Sequence, residues 1–296
     1  MTGFLKGSAT AMITPFQGEG VDLEVFGALA EHQLSNGTDA LVVLGTTGEP
    51  ATMTEREKET LMRYACERFK GRTKLIFGAG GNCTRTAVEA CISAEALGAD
   101  GVLCVTPYYN KCTQQGLYEH YRAICEAVSV PVIAYNVPLR TGVNIAPETM
   151  ARIAELKNMA GIKEASGNMA QVLETARLIR GKCELYSGDD ALNLPILCAG
   201  GTAVISVVSN LAPAGVKAMT EAVFSGDLGR ANELNDALLP LVKACFLEVN
   251  PIPVKAGVNA LGFCAGSPRA PLTELAENCR TQLIAAMKNY GLKVKE

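Results

Sequence analysis

Four short segments carry polar residues where the surrounding pattern leads one to expect apolar ones. In Gly161-Ile162-Lys163-Glu164-Ala165-Ser166-Gly167 a lysine stands in the middle of an apolar, strand-like run. Burial disfavours an ammonium and makes a neutral amine available for attack on a ketone, so Lys163 is a candidate nucleophile. The structural alternative is a lysine bridged to an inward carboxylate. Tyr135-Asn136-Val137-Pro138-Leu139-Arg140-Thr141-Gly142 ends a strand on a phenol, with a guanidinium a few residues on. Arginine suits bidentate carboxylate recognition, although in a loop it is more often simply solvated. Gly45-Thr46-Thr47-Gly48-Glu49 brackets two hydroxyls with glycines and could present donors to a small carboxylate or phosphate, or be an ordinary structural turn. Thr106-Pro107-Tyr108-Tyr109-Asn110-Lys111 sends two tyrosines off one strand, a pair that could equally pack at an interface. An amine, a phenol, hydroxyls and a fixed cation together fit carbanion chemistry through a Schiff base on a small keto acid.

The elements that position these residues repeat one unit. Helix-like stretches close on glycine and lead into short apolar runs, as in Leu34 to Asp39 before Ala40 to Leu44 and Ala96 to Asp100 before Gly101 to Val105. Further runs lie at Gly7 to Thr14, Lys74 to Gly78, Val132 to Tyr135, Gly161 to Lys163, Glu184 to Ser187 and Thr202 to Val207. Amphipathic segments such as Thr54 to Lys70, Gln115 to Ala127 and Asn168 to Ile179 separate them. About eight strands alternating with helices predict an α/β fold of the (β/α)8 TIM-barrel type, with catalytic groups at the carboxyl ends of the strands. A doubly wound sheet would carry a glycine fingerprint after its first strand, and none is present. After Asn210 the pattern is helical only. Ser225 to Val249 and Pro271 to Tyr290, the latter with Thr273 and Glu274 near its start, predict a C-terminal extension. The expected division is a catalytic barrel over 1–224 and a helical extension over 225–296.

Composition removes other function classes. The chain has 296 residues, 48% of them hydrophobic, and can bury one large core. A net charge of -3, with neither sign in blocks, argues against nucleic acid. No basic start followed by an apolar run is present and the most apolar stretch is broken by Pro195, Gly200 and Gly201, so a soluble, cytoplasmic protein without a membrane partner is expected. Eleven cysteines, an odd number, many of them inside apolar segments, show no CxxC pair, and His32 and His120 lie far apart. Neither a structural metal site nor a histidine-driven triad is expected, so proton transfer falls to Tyr, Lys, Glu or Asp.

Gly45-Thr46-Thr47-Gly48-Glu49, Tyr135-Asn136-Val137-Pro138 and Gly161-Ile162-Lys163-Glu164 resemble the signatures of the pyruvate-dependent class I aldolase family that includes dihydrodipicolinate synthase and N-acetylneuraminate lyase. The likeness runs from Gly7-Ser8-Ala9-Thr10-Ala11 to Asn250-Pro251-Ile252-Pro253-Val254-Lys255, and Arg140-Thr141-Gly142 favours the synthase branch. The resemblance implies that Lys163 forms an imine with pyruvate and that Thr46 and Thr47 hold its carboxylate, with backbone groups of Gly188 and Ile205 in the same pocket. Tyr135 would be the acid and base nearest the imine, linked through Thr47 and through Tyr109 of a neighbouring subunit. Arg140 would take the carboxylate of aspartate 4-semialdehyde. No cofactor is implied, and the expected assembly is a homo-oligomer, a dimer or dimer of dimers. Pro50 and Cys112 depart from the usual pattern and bear on loop shape. A candidate allosteric site for lysine falls at Asn82, Tyr108, Glu55, Lys58 and Thr86, where Lys58 and Thr86 suit a ligand ammonium poorly, so weak or absent inhibition is expected. The alternatives are a retro-aldol lyase of the same family acting on a sialic acid or sugar keto acid, for which Arg140 has no use, and a silent small-acid-binding barrel, for which Lys163 has none.

Overall fold

The computed structural model describes residues 3–295. Eight parallel strands, β1 (Gly7–Ala11), β4 (Ala40–Val43), β5 (Lys74–Gly78), β6 (Gly101–Val105), β7 (Val132–Asn136), β8 (Met159–Glu164), β9 (Glu184–Ser187) and β10 (Ala203–Ser206), close into a barrel in the order β1-β10-β9-β8-β7-β6-β5-β4. A small antiparallel ribbon, β2 (Phe16–Gln17) with β3 (Gly20–Val21), stands outside it. The strand runs are short and apolar because both faces are covered, and Leu41, Val42, Ile76, Phe77, Val102, Ile133 and Ile162 have no solvent exposure. Burying each such side chain contributes about 1.5–3 kcal/mol. By its internal contacts the chain groups into two compact units, Met1–Lys6 with Lys74–Ile205, and Gly7–Thr73 with Ser206–Glu296.

The helices begin and end where the side chains at their ends require. These are α1 (Leu23–Ser35), α2 (Glu55–Phe69), α3 (Thr84–Leu97), α4 (Gln114–Ala127), the short α5 (Pro138–Thr141), α6 (Pro147–Ile153), α7 (Met169–Ile179), α8 (Asn193–Cys198), α9 (Pro213–Phe224), α10 (Leu228–Ala244), α11 (Ile252–Ala260) and α12 (Glu277–Tyr290). Thr54 and Glu57 cap α2 reciprocally, and Asn168 and Asp227 accept the N–H groups of Gln171 and Arg230 to open α7 and α10. Gly98, at φ +105°, closes α3 in the left-handed conformation that glycine adopts most cheaply.

Two expectations about the C-terminal part are corrected, and one helix is added. The predicted helix over 225–249 is the shorter α10, because Asp227 supplies the N-cap. The predicted helix from Pro271 starts instead at Glu277: the Glu274 carboxylate accepts the Ser267 hydroxyl at 2.7 Å, and Glu248 accepts the Ala276 N–H at 3.0 Å. Between them lies α11, hidden in the sequence by Pro251 and Pro253, yet Pro251 is its N-cap and Pro253 lies in its first turn, where proline costs least. Among the described residues no helix is long and apolar enough to cross a membrane.

Candidate active site

Strands β7 and β8 pair in register, Tyr135 with Lys163 and Asn136 with Glu164. Alternation along a strand then sends Tyr135 and Lys163 to one face and Asn136 and Glu164 to the other. The second pair is sealed: Asn136 Nδ2 donates to Glu164 Oε2 at 3.1 Å and to Asn144 Oδ1 at 2.9 Å, and Glu164 Oε1 accepts the Ser166 N–H at 2.7 Å. Glu164 is therefore occupied and does not neutralise its neighbour. Lys163, 5% exposed, carries its Nζ 4.2 Å from the centre of the Tyr135 ring, and among the described residues no carboxylate pairs with it. Gly188, just beyond β9, lies against the lysine stem. A Cβ there would come within 2.7 Å of Lys163 Cγ and 2.8 Å of its Cε. The Gly188 N–H is spent on the Glu164 carbonyl at 2.8 Å. Ile205 lies in β10 at 1% exposure.

Thr46 and Thr47 occupy a single turn of 3-10 helix, Thr46–Gly48, flanked by Leu44 at φ +60° and Glu49 at φ +56°. A left-handed non-glycine residue costs of order 1–3 kcal/mol, so this turn is held by its surroundings. Thr47, 2% exposed, accepts a hydrogen bond from Asn250 Nδ2 at 3.0 Å. Glu49 Oε1 takes Lys255 Nζ at 2.8 Å, and Glu49 Oε2 takes the Arg269 N–H at 2.9 Å. Gly48 is glycine for packing: a Cβ would meet Thr14 Oγ1 at 3.1 Å and the Met12 carbonyl at 3.2 Å.

Asn250, Glu49 and Lys255 carry no role that the sequence analysis predicts. The signal for Lys255 was the same as for Lys163, a lysine inside an apolar run, and its outcome is the bridged alternative: Lys255 and Glu49 side chains are 0% and 1% exposed. Burial pulls the Lys255 amine below its ordinary value, and the Glu49 carboxylate opposes that shift.

The remaining candidates sit at the surface. Arg140 is exposed on α5, its N–H donating to the Val137 carbonyl at 2.9 Å. Tyr108 is 41% exposed and Tyr109 90%, the latter at φ +68°. Both tyrosines lie past the end of β6, so strand alternation does not set their directions; the left-handed backbone at Tyr109 does. Among the candidate allosteric residues, Glu55 is tied to Lys58 at 2.7 Å on α2 and is not turned inward. The Thr86 hydroxyl donates to the Cys83 carbonyl at 3.0 Å, and the Asn82 carbonyl accepts Asn110 Nδ2 at 2.9 Å.

A 4-hydroxy-tetrahydrodipicolinate synthase of Caldicellulosiruptor bescii is 49% identical over 292 residues, covering 98% of this chain and 99% of that protein. The crystal structure of dihydrodipicolinate synthase from Thermotoga maritima superposes with a TM-score of 0.97 at 46% identity, covering 98% of this chain and 100% of that one. A structure described as the first monomeric dihydrodipicolinate synthase variant matches with a TM-score of 0.96 at 46% identity, covering 98% of each chain. The Dihydrodipicolinate synthetase family matches over residues 4–290, and the chain belongs to that family.

Proposed function

We propose that the protein condenses pyruvate with L-aspartate 4-semialdehyde through an imine on Lys163, giving 4-hydroxy-tetrahydrodipicolinate for lysine and diaminopimelate biosynthesis. The observation that carries this reading is the contrast between the two buried lysines: Lys255 is held by a carboxylate, and Lys163 has a tyrosine ring beside it and, among the described residues, no carboxylate. A lysine that no carboxylate holds keeps its amine available to add to a ketone.

The steps follow from the parts. The Lys163 amine adds to the pyruvate carbonyl and water leaves, forming a protonated imine. That imine is an electron sink, so a methyl proton is lost to a base and an enamine forms, with Tyr135 as the acid and base nearest the nitrogen. The enamine carbon attacks the aldehyde carbon, and the oxygen formed there takes up a proton. The substrate amino group then attacks the imine carbon, closes the ring and expels Lys163. Thr46 and Thr47 hold the pyruvate carboxylate, and backbone groups of Gly188 and Ile205 line the same pocket. Arg140 takes the carboxylate of the semialdehyde, and Tyr109 serves a neighbouring subunit of a homo-oligomer. The division at 224/225 separates a catalytic barrel from a helical extension, over the described residues 3–224 and 225–295, in a cytoplasmic enzyme; residues 1, 2 and 296 lie outside the described residues. Free lysine binds weakly or not at all, because Thr86 offers no charge to an ammonium and the Glu55 carboxylate is already engaged by Lys58.

Borohydride reduction in the presence of pyruvate tests the central step. One reduced pyruvate per chain is expected, on the peptide carrying Lys163, and Lys163→Ala should abolish both labelling and turnover while leaving the fold intact. Labelling of Lys255 or another lysine would overturn the assignment.

A further inference from the structure

We infer that Asn250 is a positioning residue that presents Thr47 as a hydrogen-bond donor to the keto acid's carboxylate; the inference rests on the reading in which Thr46 and Thr47 hold that carboxylate. A threonine hydroxyl has one proton, and its use depends on what the oxygen already accepts. Asn250 Nδ2 donates to Thr47 Oγ1 at 3.0 Å, with both residues buried, Asn250 at 6% and Thr47 at 2% exposure. An amide N–H can only donate. It occupies a lone pair of Oγ1, and the hydroxyl proton must point along another direction. A carboxylate can only accept, so a hydroxyl whose proton is free to be given away is the form that such a ligand needs.

The contact is built rather than incidental. Asn250 and Thr47 are 203 residues apart in the chain, and the same two segments are joined again at Lys255 Nζ and Glu49 Oε1, 2.8 Å apart and 206 residues apart in sequence. Glu49 is fixed further by the Arg269 N–H at 2.9 Å, and Lys255 by the face of Phe16, with Nζ 4.0 Å from the ring centre. The two ties hold the turn at two residues of the same side of the sequence motif, Thr47 and Glu49, so the hydroxyl sits on a backbone that cannot drift. Glu49 and Lys255 hold the backbone in place, and Asn250 sets which way the proton goes.

Steady-state kinetics on the full chain separates this role from packing. Asn250→Asp keeps the shape but replaces the donor with an acceptor, which draws the Thr47 proton toward itself and adds a negative charge. Asn250→Leu fills the space with no polar atom and serves equally if the Asp chain fails to fold. The KM for pyruvate should rise about tenfold in Asn250→Leu and further in Asn250→Asp, while the KM for the semialdehyde stays within about twofold. In a Thr47→Val background, Asn250→Leu should add no further change, because the group it orients is gone. A pyruvate KM raised in Thr47→Val but unmoved in both Asn250 variants would overturn this inference alone. An Asn250→Leu effect of the same size with and without the Thr47 hydroxyl would overturn it as well. A pyruvate KM unmoved in Thr47→Val would overturn the carboxylate reading and this inference together.

Discussion

Lys163 and Lys255 are both buried, and a carboxylate separates their roles. Glu49 closes on Lys255, whereas the carboxylate next to Lys163, Glu164, faces away and is consumed by Asn136 and Ser166. The lysine stem leaves room on one side only for a glycine. Gly188→Ala places a methyl group 2.7 Å from Lys163 Cγ and 3.1 Å from the Ala165 Cβ, so the stem must shift. A displacement on the scale of 1 Å at a reacting atom can cost about a hundredfold in rate. Gly188→Ala is therefore expected to lower kcat/KM about a hundredfold and slow borohydride-trapped imine formation in step, with a stability loss of only about 1–3 kcal/mol. Imine trapping at the unmodified rate would show that the stem has room to spare.

Two elements carry charge-dependent stability. The turn after β4 and the first part of α11 are joined by the Glu49–Lys255 pair, side chains 1% and 0% exposed. Removing one member of a buried pair strands the other, at a cost of about 3–5 kcal/mol, whereas replacing both by apolar groups can be near neutral. Lys255→Met should lower the unfolding free energy by about that amount in urea titrations, and adding Glu49→Leu should restore a large part of it; a double variant less stable than the single would contradict the argument. On α4, His120 is 2% exposed, with Nδ1 3.0 Å from the Thr84 hydroxyl, and burial pushes its imidazole down to about 4. A histidine pushed down in the folded state leaves the unfolded chain binding the extra proton. Stability from this group is thus full above the ordinary value of about 6.5, falls as the pH drops from there to about 4, and then levels off. The loss across that window should be about 2–3 kcal/mol and should be absent in His120→Phe, checked by urea midpoints between pH 7 and pH 4. An equal fall in His120→Phe would place the titration elsewhere.

At the scale of the whole molecule, the barrel presents side chains that its own chain does not cover. Tyr109 and Leu139 are each 90% exposed, and Leu173 is 55% exposed. The Tyr109 phenol stands outward on a left-handed, strained backbone at φ +68°, and the proposed function gives it to a neighbouring subunit. Activity is therefore expected to require at least a dimer. Sedimentation and turnover measured over a dilution series should show specific activity falling as monomer appears, and Tyr109→Phe should lower turnover in the assembled form. The match to a protein described as a monomeric variant sets the contrary outcome: a monomer of this chain with full activity would exclude a trans role for Tyr109.

Local features of the sequence determined most of the architecture. Most barrel strands are short, largely apolar runs buried on both faces, and most helices open on a capping side chain or close on glycine, signals that lie within a few residues of one another. The eight-stranded barrel was legible for that reason, as was the anomaly of Lys163 in an apolar strand. Where the governing contact was distant, the sequence misled or was silent. The start of α12 depends on Glu248 meeting Ala276, and the identity of α11 as a helix on how its prolines fall in the first turn. Two lysines in apolar runs looked alike; which one would meet a carboxylate depended on Glu49, 206 residues from Lys255, and on the pleat that turned Glu164 away from Lys163. Whether a buried charge is paired is decided by long-range packing, because the Coulomb gain that offsets desolvation exists only at hydrogen-bond distance, and only the tertiary structure brings residues so far apart in the chain to that distance.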